Sequence, residues 1–438
     1  MPSNKNPQRR STPLITRVEI EKLFGRYNYD LKMPGAVNRA SSNIAIIYGD
    51  NGTGKTTVLK LVFHLLSTAR NRGHRTFLAR VPFSRLSVAF SDKTKINVAR
   101  EGSNLTGTYT ITLTRPRRSA LKVKLKADET DTISPERAPP KLDALLDEMA
   151  AWDVSTFFLS DDRTLESDEF PERSEERYLE IRRIYGVEIP SPREIALRES
   201  LDRTATWLRR RLIQESSRGE AEAQHFYANI VETIGKRGVT QIKDYKAEKD
   251  KLTEELKELD TRSRSFTEFG LISRVNVRRF IKGLEATKPK GLPFVAEVVR
   301  SFISGQRARL DALEQLNRRL RRFVDLIDEF LLDKTIQLEV DEGISILSDH
   351  RITISPEKLS SGEKQLLLLF CNVLASGESA SLFIIDEPEL SLNVKWQRSL
   401  IDALVDITIG SECQFLFATH SIELIAKHRK QVIKLNPR

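Results

Sequence analysis

Lys55 and Thr56 close the run Gly49-Asp50-Asn51-Gly52-Thr53-Gly54-Lys55-Thr56, whose G-x-x-x-x-G-K-[ST] spacing suits a chain of phosphates. Glycines let the backbone approach the phosphates, and amide groups at a helix start point toward an anion. Lys55 would reach the β- and γ-phosphates, and the Thr56 hydroxyl would ligate Mg²⁺. Asn51, Gly52, Thr53, Gly54, Lys55, Thr56 and Thr57 are therefore candidate ATP-binding residues. Far downstream, Asp386 ends an apolar run and is placed to hold Mg²⁺, and Glu387 beside it could orient and deprotonate an attacking water. Alone, an acidic pair after a strand reads as a solvated turn; its place after the other motifs gives it weight. Ser360-Ser361-Gly362 opens a leucine-rich stretch. It can cap a helix or bind a phosphate, and the two roles are compatible. His420 follows the apolar run Phe415-Leu416-Phe417-Ala418. The other five histidines (His64, His74, His225, His350 and His428) take the ordinary structural or exposed reading.

These groups need rigid supports. Asn43 to Tyr48 reads as a buried strand and Thr57 to Leu66 as a helix, which is the strand–loop–helix setting a phosphate loop requires. Ser381 to Ile385 reads as a second buried strand, and Pro388 ends it by offering no ladder donor. Residues 14–24 and 86–126 alternate polar and apolar side chains in short runs, the pattern of an antiparallel sheet. Residues 127–150 read as a loop followed by a short helix from Lys141 to Met149.

From about Ser191 to Asp333 the chain is helical and charged. Ile242, Tyr245, Leu252, Leu256 and Leu259 form one apolar seam; Leu313, Leu320 and Ile327, with Leu316, Phe323 and Phe330, form another. Lys288-Pro289-Lys290-Gly291-Leu292-Pro293 predicts a break between them. The expected insertion is an antiparallel helical or coiled-coil arm whose sides reach about 50–70 Å at 1.5 Å per residue. After it, Thr335 to Ile354 returns to alternating strands. The domain expectation is an N-terminal lobe over 1–185, a helical insertion over 186–334 and a C-terminal lobe over 335–438.

The 438 residues include two cysteines, Cys371 and Cys413, so neither a disulfide framework nor a zinc site is predicted. Met1 to Arg10 lacks the apolar core of a signal peptide, and no stretch is long and apolar enough to span a membrane. A cytoplasmic location is expected. Net charge is +10, from 71 basic and 61 acidic residues, which favours an acidic partner such as nucleic acid or an acidic protein. Basic clusters at Arg115-Pro116-Arg117-Arg118, Arg209-Arg210-Arg211 and Arg318 to Arg322 also fit solvated helix faces.

In order, these motifs resemble the ABC-type ATPases of the SMC/RecF/OLD group. Leu359 to Gln365 resembles their signature, with Glu363 where the transporters usually have Gln, and Ala418 to Ile425 resembles their switch segment. The resemblance implies an α/β P-loop ATPase head built from N- and C-terminal lobes with the arm inserted between them. It makes Glu387 and His420 catalytic and Asp386 and Thr56 the Mg²⁺ ligands. It also assigns Ser360, Ser361 and Gly362 to the nucleotide of a second subunit, so that ATP is sandwiched between two heads of a homo-oligomer. Phe157 to Arg163 is similar to the segment that stands in for the glutamine loop of this group, which makes Arg163 a nucleotide-contact candidate. Glu21 to Tyr29, the compact arm and the lack of a Toprim segment resemble the stand-alone anti-phage defence ATPases of the PARIS and Septu systems. That resemblance implies a Toprim-type effector nuclease on another chain and an acidic phage protein as trigger. A RecF-like DNA-repair ATPase is the alternative.

Overall fold

The computed structural model describes residues 13–34, 43–161, 165–168, 192–237, 242–376, 380–408 and 412–435, with side chains left out over 192–193, 218–237 and at 380. The chain divides into two compact units, Met1–Ala196 with Ser376–Arg438, and Leu197–Ala375.

In the first unit the apolar runs become a parallel sheet. β3 (Ile44–Tyr48), β8 (Val154–Leu159), β13 (Ala380–Asp386), β14 (Cys413–Thr419) and β15 (Val432–Lys434) lie in the order β15-β3-β14-β13-β8. β9 (Leu165–Ser167) adds an antiparallel edge. Parallel strands covered on both faces read as continuous apolar runs; β14 buries all seven of its residues. Phe157, Phe383 and Phe415 stack across three adjacent strands at ring distances of 5.0 and 5.2 Å.

The expected antiparallel sheet is present, in the order β2-β1-β4-β5-β6-β7. Its strands are β1 (Ile15–Leu23), β2 (Tyr27–Lys32), β4 (Arg85–Phe90), β5 (Lys95–Arg100), β6 (Tyr109–Thr114) and β7 (Leu121–Leu125). Alternation puts one face inward, as with Tyr109, Ile111 and Leu113 of β6. α1 (Lys55–Leu66) buries Val58, Leu59, Leu61, Val62, Phe63, Leu65 and Leu66 in one apolar cluster shared with both sheets. The Gln414 amide stitches the sheets together, accepting from Ile15 N and donating to Ile15 O, both at 2.8 Å. α3 (Lys141–Ala150) is the short helix expected after the loop.

Behind α1, α2 (His74–Arg80) brings His74 Nδ1 to 2.8 Å from His64 Nδ1. Arg75, buried beside them, donates to the carbonyls of His64, Leu65 and Ser67, closing the end of α1. Burial, helped by the charges of His74, Arg75 and Lys60, pushes the His64 pKa down to about 3. Burial pushes His74 down to about 4, with Asp168 opposing and Arg75 and Arg72 assisting. The unfolded chain takes up protons below about pH 6.5, and the folded one does not until much lower. The associated stability is therefore complete above pH 6.5 and is lost as pH falls. At pH 5 the expected loss is on the order of 2 kcal/mol per histidine. Thermal melts at pH 7.5 and pH 5 check this: His64→Phe should melt with a smaller pH difference than wild type, and an equal difference would refute the assignment.

The second unit holds the helical insertion. α4 (Pro192–Arg237) is followed by α5 (Tyr245–Thr267), α6 (Val277–Ala286) and α7 (Leu292–Phe330). The expected break is a 3₁₀ turn at Pro289–Gly291. Leu252, Leu256 and Leu259 of α5 are buried, as are Leu313, Leu316, Leu320, Phe323, Ile327 and Phe330 of α7. Two details of the expected seams are corrected. Tyr245 is exposed. The seam helices also run parallel, because Arg300 meets Glu248, Arg307 meets Glu255, Arg262 meets Glu314 and Arg321 meets Glu268. The partners advance together along both helices at a near-constant offset. α6 makes the return, so that Lys249 near the start of α5 bonds the carbonyls of Glu285 and Thr287 at its far end. α7, with 39 residues, is about 58 Å long at 1.5 Å per residue.

A three-stranded antiparallel sheet follows, β10 (Lys334–Glu339), β11 (Gly343–Ser348) and β12 (Thr353–Ile354), and then α8 (Ser361–Ala375). Thr204 of α4 donates its hydroxyl to Cys371 O at 3.2 Å, and Arg319 of α7 donates to Leu374 O at 2.9 Å. Small and basic side chains thus fix α8 within this unit. No helix among the described residues is long and apolar enough to cross a membrane.

Candidate functional site: a phosphate loop facing a buried acid cluster

The loop between β3 and α1 adopts a backbone that its glycines make possible. Gly52 and Gly54 have φ of +82° and +84°, in the left-handed region that favours glycine. A Cβ on Gly54 would also come within 3.2 Å of the Phe24 ring. Tyr29 of β2 donates its hydroxyl to Thr53 O at 2.6 Å and so pins the loop from the neighbouring sheet. Gly54 caps α1, and Lys55 is its first residue. Lys55 is 6% exposed, and its ammonium donates to Gly49 O at 2.8 Å and Asp50 O at 3.2 Å. Asn51, Thr53, Thr56 and Thr57 lie along the same loop and first helical turn.

β13 delivers Asp386 and Glu387 to the same end of the sheet. Both carboxylate oxygens of Asp386 are buried and lack a hydrogen-bond partner. Burial holds its pKa above the ordinary range, with the Thr56 hydroxyl pulling down, Asp161 pushing up, and Lys55 and Lys60 pulling down. A buried, unsatisfied carboxylate beside a hydroxyl is a hard-oxygen pair, and these residues fit Mg²⁺. Glu387 lies just past the strand with φ +44°, yet its amide still bonds Ala418 O at 2.9 Å. One carboxylate oxygen lies 3.7 Å from Lys55 Nζ, and the other lies 2.6 Å from His420 Nδ1. Burial and the neighbouring Glu389 carboxylate raise the Glu387 pKa to about 7 against the opposing pull of His420 and Lys55. Glu387 can therefore hold or release a proton at neutral pH, which is what a general base requires.

The sheet thus gathers Lys55, Thr56, Asp386, Glu387 and His420 from three strand ends. Ser360, Ser361 and Gly362 belong to the second unit. There Ser360 and Glu363 close a capping box at the start of α8, with Ser360 N donating to Glu363 at 2.8 Å and Glu363 N to Ser360 Oγ at 3.3 Å. Lys334 bonds the other Glu363 oxygen at 2.9 Å. Burial alone would raise the Glu363 pKa, but Lys334 and the Ser360 bonds outweigh it and lower the net value. Ser360 and Ser361 remain exposed. Arg163 lies outside the described residues. Two neighbours escaped the sequence reading. Asp161, two residues past β8, acts electrostatically on Asp386 from the same segment as Arg163. Glu389, in the Glu-Pro-Glu run, brings a ligand-type atom within 4.8 Å of those of Glu387 and His420.

Residues 44–426 match the family described as "AAA domain, putative AbiEii toxin, Type IV TA system". The chain belongs to this family. The match takes in β3, the helical insertion, β13, β14 and the switch segment. Among curated relatives of this AAA-domain chain, the zinc import ATP-binding protein ZnuC of Marinobacter nauticus is 31% identical over 117 residues. Those residues make up 27% of this chain and 42% of the relative. The lipoprotein-releasing system ATP-binding protein LolD of Ruegeria pomeroyi is 34% identical over 94 residues, 22% of this chain and 38% of the relative. The chain thus spans about four-tenths of the length of these relatives. Among solved structures, the Smc head domain of Pyrococcus furiosus, with an extended coiled coil bound to the C-terminal domain of ScpA, aligns over 96% of this chain and 93% of its own. Its identity is 13% and its TM-score 0.40. The Smc head domain of Pyrococcus yayanosii aligns over 96% and 95%, at 13% identity and a TM-score of 0.38.

Proposed function

We propose that this AAA-domain chain is a Mg²⁺-dependent ATP hydrolase of ABC type. The observation that carries this is the Glu387 carboxylate, held between the phosphate-loop Lys55 and His420 at 3.7 and 2.6 Å. In the proposed mechanism the loop amides and Lys55 bind the phosphates, and Asn51 to Thr57 line the nucleotide. Thr56 and Asp386 would hold Mg²⁺, which would supply positive charge against the phosphates. Glu387 orients the attacking water and takes its proton. Because His420 uses Nδ1 toward Glu387, its Nε2 is the ring nitrogen left for a phosphate oxygen.

The hydrolysis cycle would run in homo-oligomers, with Ser360, Ser361 and Gly362 of one head completing the nucleotide site of another. Loss of the γ-phosphate then removes the charge that bridges the two heads. At the biological level the chain is proposed to act as sensor and scaffold of an anti-phage defence complex in the cytoplasm, with ATP governing the assembly that restrains a separately encoded Toprim-type nuclease. A family described as one side of a TA system agrees with work in tandem with a second component. An acidic phage protein is the proposed trigger, and the basic excess of the chain suits it.

The same excess favours the second reading, a RecF-like ATPase acting on DNA. The insertion carries Arg274, Arg278, Arg279, Lys282, Lys288 and Lys290 exposed around α6. ATP turnover measured with and without duplex DNA over a salt series separates the two. Turnover indifferent to DNA, together with co-purification of a nuclease encoded next to this gene, supports the defence assignment. Strong DNA stimulation that fades steeply with salt supports the repair assignment. Absence of Mg²⁺-dependent ATP turnover in every condition would refute both.

A further inference from the structure

We propose that Glu389 is a positioning residue that clamps the switch peptide Thr419–Ser421 and so holds the His420 ring against Glu387; this rests on the hydrolytic assignment above. Glu389 is 5% exposed. One of its oxygens, Oε1, accepts from three donors on three consecutive residues: the Thr419 hydroxyl, the His420 amide at 3.2 Å and the Ser421 amide at 3.1 Å. The same oxygen lies 3.7 Å from His420 Nδ1. A buried anion gathering three donors makes a rigid anchor, since charged acceptors form the stronger hydrogen bonds.

A buried acid is ordinarily a structural group with its oxygens satisfied. Glu389 differs in where its partners lie. The three donors to its Oε1 all come from the peptide that carries His420, and the neighbouring carboxylate is that of Glu387. The position therefore serves the switch peptide. The segment is fixed from the other side as well. Ser421 donates its hydroxyl to Gln397 of α9 (Val394–Ile407) at 2.8 Å, and its Oγ accepts from Leu424 N in α10 (Ile422–Ile425) at 3.3 Å. Glu389 sits two residues beyond Glu387 on a turn closed by Leu392 N to Glu389 O at 2.9 Å. A single side chain thus ties the turn after Glu387 to the loop bearing His420, and the 2.6 Å contact between those two residues depends on both ends staying fixed.

The full-length protein carrying Glu389→Ala, and separately Glu389→Gln, provides the test. Amide hydrogen exchange is read without nucleotide over residues 415–424, together with the Kd of a fluorescent ATP analogue and with kcat and KM. Glu389→Ala should speed exchange at His420 and Ser421 and leave the Kd within about threefold, because the phosphate loop is untouched. Its kcat should fall about 10- to 100-fold, the scale set by small misplacements of catalytic groups. Glu389→Gln keeps an acceptor oxygen, so it should restore most of the protection and part of kcat. Unchanged exchange in Glu389→Ala would overturn the proposal. So would loss of protection spread over the whole sheet with Kd and kcat failing together, the mark of a purely structural residue. A wild-type protein without ATP turnover would defeat the hydrolytic assignment instead, while the exchange data would still decide whether Glu389 clamps the peptide.

Discussion

Glu387→Gln should bind ATP with near-wild-type affinity and hydrolyse it at least about a hundredfold more slowly, within the range expected for removal of a general base. Gln keeps the size of the side chain and can still meet Lys55 and His420, so the site should remain assembled. It cannot accept the proton of the attacking water. Bound nucleotide should therefore persist as ATP, and if heads pair around it the variant should elute as a larger species in ATP than in ADP. Single-turnover hydrolysis and sizing chromatography measure the two effects. Turnover equal to wild type would remove Glu387 from the role of base.

Lys55→Ala should have the opposite phenotype, with ATP affinity falling at least a hundredfold, about 2.7 kcal/mol. The ammonium is already held by Gly49 O and Asp50 O. Little side-chain freedom is left to lose when phosphate arrives, so the full charge interaction is available for binding. Titration of a labelled ATP analogue checks the loss, and a Kd within threefold of wild type would overturn the assignment of the loop. Together the two variants divide the site into a binding half and a chemical half.

Much of this was legible in the sequence because phosphate-loop chemistry is local. Eight consecutive residues carry the loop, and buried parallel strands announce themselves as apolar runs such as Leu382 to Ile385. What stayed hidden depends on three dimensions. A seam of leucines records that a helix face is buried, but the direction of its partner leaves no trace in the spacing. The parallel course of α5 and α7 emerged only from pairs such as Arg300 with Glu248 and Arg321 with Glu268. Tyr245 fitted the seam by spacing yet lies at the first turn of α5, where it is exposed. Glu389 was visible as one more acid after Pro388, while its three donors come from a segment some 30 residues away. Asp161 lies within the segment Phe157 to Arg163, but nothing in that segment marks it over its neighbours, since its effect on Asp386 exists only once β8 and β13 lie side by side.

The strand order of the parallel sheet also bears on how the protein is made. Among the described residues, β3, which leads into the phosphate loop, has β14 and β15 as its neighbours. Asn43, at its start, bonds Cys413 O across 370 residues of sequence. During synthesis the run Ile44 to Tyr48 therefore leaves the ribosome as an apolar strand with both edges bare, and it stays so until residues past Cys413 have been translated. Such a strand invites mispairing while it waits, and pairings this distant in sequence form slowly. The phosphate loop thus lacks its finished strand setting until the segment that forms β14 has been made, some 370 residues after Asn43.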